Sequence, residues 1–222
     1  MFNLDLIELP TLIRHDGESR YYETPTGQKY PSVTTVLDKT SDKSFLHAWR
    51  KRIGAEEADK ITKRASNRGT AMHSLCEKFV LNEDLDLTEA MPLHLHLFKQ
   101  LEGPLSEHVD NVRLSEGSLF SHRLKVAGSA DLVADWKGVR SLIDFKSSNR
   151  YKRKEWIENY FIQTTMYSMM LYEMTGISCS QVVIMIAVEE ENEPQMFVED
   201  ITDWIPKAIS RCRRYHELFG GR

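Results

Sequence analysis

The stretch from Gly128 to Ser148, GSADLVADWKGVRSLIDFKSS, decides the fold. Two apolar runs flank the dipeptide Lys137-Gly138, which is typical of a tight hairpin turn. The runs predict two successive strands, Lys125–Trp136 and Val139–Lys146, joined by that turn. We therefore expect this stretch to begin a β-sheet.

The rest of the chain adds helices and further strands. Turn signals between short Tyr- and Leu-containing runs in residues 1–30 predict a small hairpin or extended arm. Helical spacing between Pro31 and Val80 predicts two or three helices, with breaks at Gly54 and Gly69. The later elements are strands at Val112–Phe120, Gln181–Val188 and Gln195–Val198; helices at Leu93–Val109 (bent or interrupted near Gly103-Pro104), Lys154–Thr175 and about Asp203–Phe219; and a solvated acidic loop at Glu189–Pro194.

This order of elements predicts one domain over residues 1–222, of the α/β or α+β class. Residues 1–110 would form an arm and a helical subregion, and residues 111–222 a sheet core with flanking helices. A chain of 222 residues can bury one substantial core.

Composition restricts the compartment and the partners. The three cysteines, Cys76, Cys179 and Cys212, have no Cys-x-x-Cys spacing, which indicates small core residues in a reducing compartment. The N-terminal segment MFNLDLIELP is too acidic for a secretory leader, and no run reaches membrane-spanning length. We therefore expect a cytoplasmic protein. A net charge of −4 argues against polyanion binding by the whole surface but allows a local basic groove.

Charged residues interrupt the two central strands. Asp131 and Asp144 come from adjacent strands, and Lys146 follows Asp144 at the spacing that keeps both side chains on one face. A buried carboxylate pair needs compensation, which Mg²⁺ or Mn²⁺ can supply while leaving positions for water and a substrate phosphate. An ammonium beside it can orient the attacking water or offset charge on phosphorus. This pattern predicts metal-assisted phosphodiester hydrolysis; the alternative is a structural Asp144–Lys146 salt bridge at a sheet edge, with Asp131 on the surface.

The same residues carry a resemblance to a known family. The sequence resembles the PD-(D/E)xK nuclease superfamily, and within it the RecB-like exonucleases, because its motif residues occur in the same order along the chain. The stretch YPSVTTVL at 30–37 is similar to the opening segment of mitochondrial genome maintenance exonucleases and small phage nucleases. The matching positions are His73 in RGTAMHSLCEKFV, Asp131 in GSADLV, Asp144 and Lys146 in IDFKSS, and Gln163 and Tyr167 in QTTMY.

The resemblance implies a restriction-endonuclease-like mixed sheet flanked by helices, with an N-terminal helical subregion. It implies a Mg²⁺ or Mn²⁺ ion held by His73, Asp131, Asp144 and the carbonyl of Phe145. It also implies that Gln163 lies near the catalytic lysine and Tyr167 near a substrate phosphate. Other roles are left open for these residues. His73 could lie at the boundary of the core, and Gln163 and Tyr167 could belong to a core face of their helix. Glu116 could add charge near the metal ligands, but we expect it to face solvent.

Nucleic-acid contacts are predicted from basic residues and hydroxyls near these motifs. The basic clusters closest to His73 and Lys146 could line a groove for a phosphate backbone. Hydroxyl groups or a helix N-terminus could add phosphate contacts. The candidate DNA-binding residues, including the one that the resemblance implies, are Ser32, Thr34, Arg68, Ser147, Lys152, Arg153 and Tyr167.

The predicted function is that of a metal-dependent DNA exonuclease acting on single-stranded ends in replication, recombination or DNA breakdown. A strand- or structure-specific endonuclease, a non-catalytic DNA-end-binding protein and a small-phosphoester hydrolase are the alternatives. Three ungrouped cysteines predict that there is no iron–sulfur cluster, which needs four. No GxxxxGK[ST] loop is present, so unwinding would come from replication or recombination partners, or the substrate would already be single-stranded.

Overall fold

The computed structural model describes residues 1–88 and 90–220, which form a small three-stranded sheet and a larger five-stranded sheet with helices around it. The strands are β1 Ile13–His15, β2 Tyr21–Glu23, β3 Lys29–Pro31, β4 Val109–Ser121, β5 Val126–Trp136, β6 Val139–Ser148, β7 Gln181–Val188 and β8 Gln195–Asp200. The helices are α1 Val33–Thr40, α2 Ser44–Ile53, α3 Ala55–Val80, α4 Pro92–His108, α5 Glu158–Thr175 and α6 Ile205–Phe219. Short 3-10 turns cover Lys154–Trp156 and Ile201–Asp203.

The larger sheet is mixed, in the order β4-β5-β6-β7-β8. β6 and β7 are parallel and α5 lies in the connection between them, whereas the other neighbouring strands are antiparallel. β7 is buried continuously from Val182 to Val188, as expected for a strand covered on both faces. The predicted α/β class, with a mixed sheet flanked by helices, is confirmed.

Each face of the sheet has its own apolar core. On one face α1, α5 and α6 pack against the strands, with Phe161 and Met170 of α5 fully buried. On the other face α3 and α4 pack through residues such as Met72 and Phe98. The three cysteines are buried within these cores, as predicted. The sheet is therefore the middle layer of three.

The predicted hairpin turn between β5 and β6 is confirmed. Lys137 and Gly138 both have positive φ, 51° and 78°. Two such residues are characteristic of a type I′ turn, whose twist matches that of paired strands. The turn sets the register that pairs Trp136 with Val139.

The N-terminal predictions are confirmed except at Gly69. Residues 1–30 contain β1, β2 and most of β3, and three helices follow before residue 81. Gly54 separates α2 from α3 with a φ of 88°, but Gly69 lies inside α3. The cost of a helical glycine is about 1 kcal/mol. Burial of Met72, Cys76 and Val80 against the sheet offsets that cost, so the helix continues.

Two other helices differ from their predicted form. α4 is continuous through Pro104, because the neighbouring Leu101 and Leu105 are fully buried and hold the helix on the sheet. α5 begins at Glu158 and not at Lys154, because Lys154–Trp156 forms a 3-10 turn and Ile157 then departs from helical geometry.

No helix in the described part of the chain combines the length and apolar character needed to cross a membrane.

Candidate metal centre

A row of acidic residues crosses three neighbouring strands at the middle of the sheet. The register pairs Ser115 of β4 with Leu132 of β5, and Leu132 with Ile143 of β6. The neighbouring position on each of these strands is occupied by an acidic residue, namely Glu116, Asp131 and Asp144, so the three acids lie side by side.

Side-chain alternation in β4 and β5 reverses at this row. Leu114 and Leu119 lie five residues apart on β4, yet both pack into the core beside α5. Ala130 and Val133 on β5 do the same although they are three apart. A regular strand would place such pairs on opposite faces. Glu116 has a φ of 49°, which side chains of its size rarely adopt, and this conformation accounts for the reversal in β4.

α3 supplies a histidine to the row. The Nδ1 atom of His73 lies 3.4 Å from Oδ2 of Asp131 and 3.7 Å from Oε1 of Glu116. Its ring also meets the ring of Phe145 edge to face, with centroids 5.9 Å apart. One ligand atom from each of His73, Glu116 and Asp131 lies within 4.8 Å of the others. We call these three residues the metal cluster.

The metal cluster could hold a divalent cation. An octahedral ion with bonds of about 2.1 Å separates adjacent ligands by about 3 Å and opposite ligands by about 4 Å. Imidazole nitrogen and carboxylate oxygens are both common ligands of divalent metals in proteins. Asp131 is also held in place, because its Oδ2 accepts a hydrogen bond of 2.7 Å from the backbone N–H of Phe145. Three protein groups leave coordination positions open to water and substrate.

Asp144 and Lys146 form a second group beside the cluster. Asp144 is fully buried, and its Oδ2 faces the Lys146 ammonium in a close ion pair. The ammonium also donates to the carbonyl of Phe145 at 3.2 Å and lies 5.2 Å from the centre of the Tyr160 ring. Two predicted metal ligands, the Asp144 carboxylate and the Phe145 carbonyl, therefore contact the Lys146 ammonium in this structure. The alternative of a sheet-edge salt bridge is wrong in its location, because β6 is the central strand and Asp131 is buried.

Gln163 and Tyr167 extend this group along α5. Gln163 donates through Nε2 to Oδ1 of Asp144 at 3.2 Å and to the hydroxyl of Tyr167 at 3.4 Å. Tyr167 is buried against Gly128, where an added Cβ would lie 2.7 Å from the tyrosine ring. Tyr167 therefore supports Gln163 from within the core, and its proximity to a substrate phosphate stays a prediction.

Burial and charge shift the ionisation of the site. Burial, and next to it the negative charge of Asp144, raise the pKa of Asp131 to about 6 against the opposing effect of His73 and Lys146. Burial opposes protonation of His73, but Asp131 and Glu116 outweigh it, so the pKa of His73 is raised. Burial also disfavours the charged form of Lys146, which is half-buried, yet Asp144 and Asp131 raise its pKa. Lys146 is therefore an ammonium at neutral pH and acts as a charge and donor.

Two predicted phosphate contacts have structural partners instead. Arg68 is buried and forms a close ion pair with Glu189, and it donates 2.6 Å and 3.3 Å hydrogen bonds to Asn149 and Ser147. Ser32 is buried as the N-cap of α1, and its Oγ accepts from the N–H of Thr35 at 2.9 Å. The polar groups of Arg68 and Ser32 are thus engaged inside the fold, and contact of these two residues with DNA stays a prediction. Glu189 is half-buried at the start of the predicted solvated loop, whereas Glu190, Asn192 and Glu193 are exposed.

The remaining predicted DNA contacts lie in different places. Ser147 follows Lys146 on β6 and accepts the Arg68 hydrogen bond. Thr34 is exposed on α1 and shares a 2.9 Å hydrogen bond with the Ser32 hydroxyl. Lys152 and Arg153 lie on the segment between β6 and the first 3-10 turn, directly after the strand that carries Lys146.

Sequence reasoning did not place Glu116 among the metal ligands. The residue is exposed, as expected, but its Oε1 lies 3.7 Å from Nδ1 of His73, which makes it the third member of the metal cluster. Gly117, directly after it in a predicted strand, is the sequence signal of a local irregularity. The residues that Glu116 lies beside could not be deduced without the register of β4 and β5.

Fold and site together define an α/β protein with a mixed sheet, in which α3, β4 and β5 supply a His-Glu-Asp cluster that could hold a metal ion beside the Asp144–Lys146 pair of β6. No protein-family model matches the chain, and no curated protein is similar to it in sequence. The geometry of the site therefore carries the functional argument.

Proposed function

We propose that the chain is a Mg²⁺- or Mn²⁺-dependent deoxyribonuclease of the PD-(D/E)xK superfamily, of the RecB-like type, that degrades single-stranded DNA from its ends. The main support is the juxtaposition of the metal cluster with the Asp144–Lys146 pair on adjacent strands. Exonuclease action at single-stranded ends rests on the sequence resemblance.

His73, Glu116 and Asp131 would hold the ion, with Asp144 and the Phe145 carbonyl directly beside them. When bound, such an ion polarises a phosphoryl oxygen and acidifies a bound water. Lys146 provides a fixed ammonium that can orient the attacking water and offset the charge that builds on the phosphoryl oxygens. Gln163 keeps Asp144 oriented through its 3.2 Å hydrogen bond.

Digestion of labelled DNA tests the proposal. Purified protein with Mn²⁺ should shorten 5′- and 3′-labelled single-stranded DNA, leave a covalently closed single-stranded circle intact, and lose activity with EDTA. Lys146→Ala should reduce the rate about 100-fold or more, because a charged donor at the reacting phosphate is removed. Lys207→Ala is the matched control, since Lys207 is an exposed lysine on α6.

Each alternative function gives a different result. Cleavage of the circle would identify an endonuclease of the same fold. Stable DNA binding without product, in both Mg²⁺ and Mn²⁺ and over a range of pH, would identify an end-binding protein. Unchanged activity in Lys146→Ala would refute the assignment of the catalytic site.

A further inference from the structure

An exposed tryptophan lies in the connection between β6, which carries Asp144 and Lys146, and α5. Trp156 has 65% of its surface exposed, whereas Trp136 and Trp204 are buried and Trp49 is half-buried. The guanidinium carbon of Arg153 lies 5.3 Å from the centre of the Trp156 ring, in a cation–π contact. The adjacent Ile157 is almost completely buried and anchors the backbone, so folding does not require an aromatic side chain at position 156.

The segment that carries this pair is held in place. The side chain of Gln195 accepts from the N–H of Lys152 at 2.6 Å and donates to its carbonyl at 3.0 Å. Arg150 pairs with Glu190 at 2.7 Å on the neighbouring turn. Such contacts reduce the entropy that would be lost when a ligand is bound. Trp156 and Arg153 are therefore presented on an ordered segment.

Charge on the segment is only partly neutralised. Arg150 and Lys154 pair with Glu190 and Glu199. Lys152 and Arg153 form no ion pair with the part of the chain that the structure describes. Two positive charges beside an exposed indole are the combination that holds single-stranded nucleic acid, through phosphates and through base stacking.

The exposed pair is close to the proposed reaction centre. Tyr160, four residues after Trp156, has its ring 5.2 Å from the Lys146 ammonium. Since each residue spans at most about 3.5 Å of chain, the backbone of Trp156 lies within about 14 Å of that of Tyr160.

We propose that Trp156 and Arg153 form a stacking platform for a base of single-stranded nucleic acid next to the scissile phosphate. The indole stacks on the base, and Arg153 and Lys152 contact the flanking phosphates. Bases within a duplex are already stacked on each other, so the platform favours a single strand. The position of the platform relative to the cut rests on the proposed nuclease function, but its capacity to bind nucleic acid does not.

Binding without metal tests the platform. Full-length protein in EDTA is titrated with a short fluorescein-labelled single-stranded oligonucleotide, and anisotropy and quenching of tryptophan fluorescence are recorded. Trp156→Ala should weaken binding about 5- to 100-fold, and Trp156→Phe should retain most of it because the ring still stacks. Arg153→Ala should lower both the affinity and its salt dependence. Tyr172→Ala is the matched control, because Tyr172 is 59% exposed near the opposite end of α5.

The outcomes separate the platform from the nuclease. If wild type digests DNA and Trp156→Ala binds the oligonucleotide as tightly as wild type, the platform is refuted and the nuclease proposal stands. If binding depends on Trp156 but no metal supports cleavage, the nuclease proposal fails and the platform stands. Equal loss of binding in Trp156→Ala and Trp156→Phe, with unchanged melting temperatures, would refute stacking.

Discussion

At the scale of single residues, Glu116 has the most unusual environment in the site. It has a positive φ on a strand, and its carboxylate lies 3.7 Å from His73. A strained conformation persists only where the surroundings maintain it, and such residues concentrate at functional sites. A bound cation would supply a reason for a carboxylate to be held in this conformation.

Removal of the Glu116 charge should weaken metal binding. We expect Glu116→Gln to reduce Mn²⁺ affinity about 10- to 100-fold, because one anionic ligand is lost from the cluster. Isothermal titration calorimetry of Mn²⁺ measures this directly. Glu107→Gln, at an exposed glutamate on α4, should leave the affinity unchanged. Equal affinities in Glu116→Gln and wild type would exclude Glu116 as a ligand.

Metal binding should depend on pH through Asp131 and His73. The pKa of Asp131 is raised to about 6 and that of His73 is raised as well, so both hold protons more readily in the metal-free fold. A cation binds the deprotonated forms, so protons compete with it. The increase in melting temperature caused by Mn²⁺ should shrink as the pH falls through about 6. An increase of the same size at pH 5 and pH 7.5 would contradict this coupling.

At the scale of secondary-structure elements, buried polar contacts connect the helix that carries His73 to the strand that carries Lys146. Arg68 of α3 contacts Ser147 at the end of β6, Asn149 beyond it, and Glu189 after β7. α3 packs against β6 at Gly69, where an added Cβ would make an ordinary van der Waals contact of 3.7 Å with the Ser147 hydroxyl. These contacts fix α3 relative to the sheet.

Loss of Arg68 should destabilise the protein. Arg68→Ala leaves Glu189 without its buried partner, and breaking such a pair costs about 3–5 kcal/mol. Urea denaturation should report a loss of that order, and a double-mutant cycle with Glu189→Gln should give a coupling energy above zero. Arg64→Ala is the control, because Arg64 is an exposed partner of the same glutamate. A stable Arg68→Ala variant with weakened DNA binding would contradict this structural role and support the DNA contact predicted from sequence.

Close packing between β5 and α5 should make Gly128 sensitive to substitution. The Cβ of Gly128→Ala would lie 2.7 Å from the ring of Tyr167, which would have to move. We expect a loss of about 1–3 kcal/mol in the free energy of unfolding, together with slower catalysis as Gln163 shifts from Asp144. Gly17→Ala, where an added Cβ meets nothing within 4 Å, should be neutral. Similar stabilities of the two variants would show that Tyr167 relaxes without cost.

At the scale of the whole molecule, the sheet needs helices on both faces. One face is covered by α3 and α4, which belong to the N-terminal half, and its buried residues include Leu132, Ile143 and Phe145. The two halves of the chain therefore share a core.

Separation of the halves should prevent folding. A fragment of residues 111–222 would lack α3 and α4 and begin inside β4, so it would expose an apolar sheet face and aggregate or bind a hydrophobic dye. The full chain should unfold in one transition, with circular dichroism and tryptophan fluorescence coincident. A monomeric fragment that unfolds cooperatively would instead divide the chain into two domains.

The strands β5 to β7, the hairpin turn at Lys137-Gly138 and the spacing of Asp144 and Lys146 follow from the sequence, because they depend on local alternation and turn chemistry. His73 and Asp131 were also predicted, and the structure brings them to 3.4 Å. The place of Glu116 beside them and the inward orientation of Arg68 and Tyr167 come from the tertiary structure. Those outcomes depend on the strand register, on the reversal of side-chain alternation at one row of the sheet, and on the buried partner of each polar group. All three are set by contacts between residues that are distant in sequence.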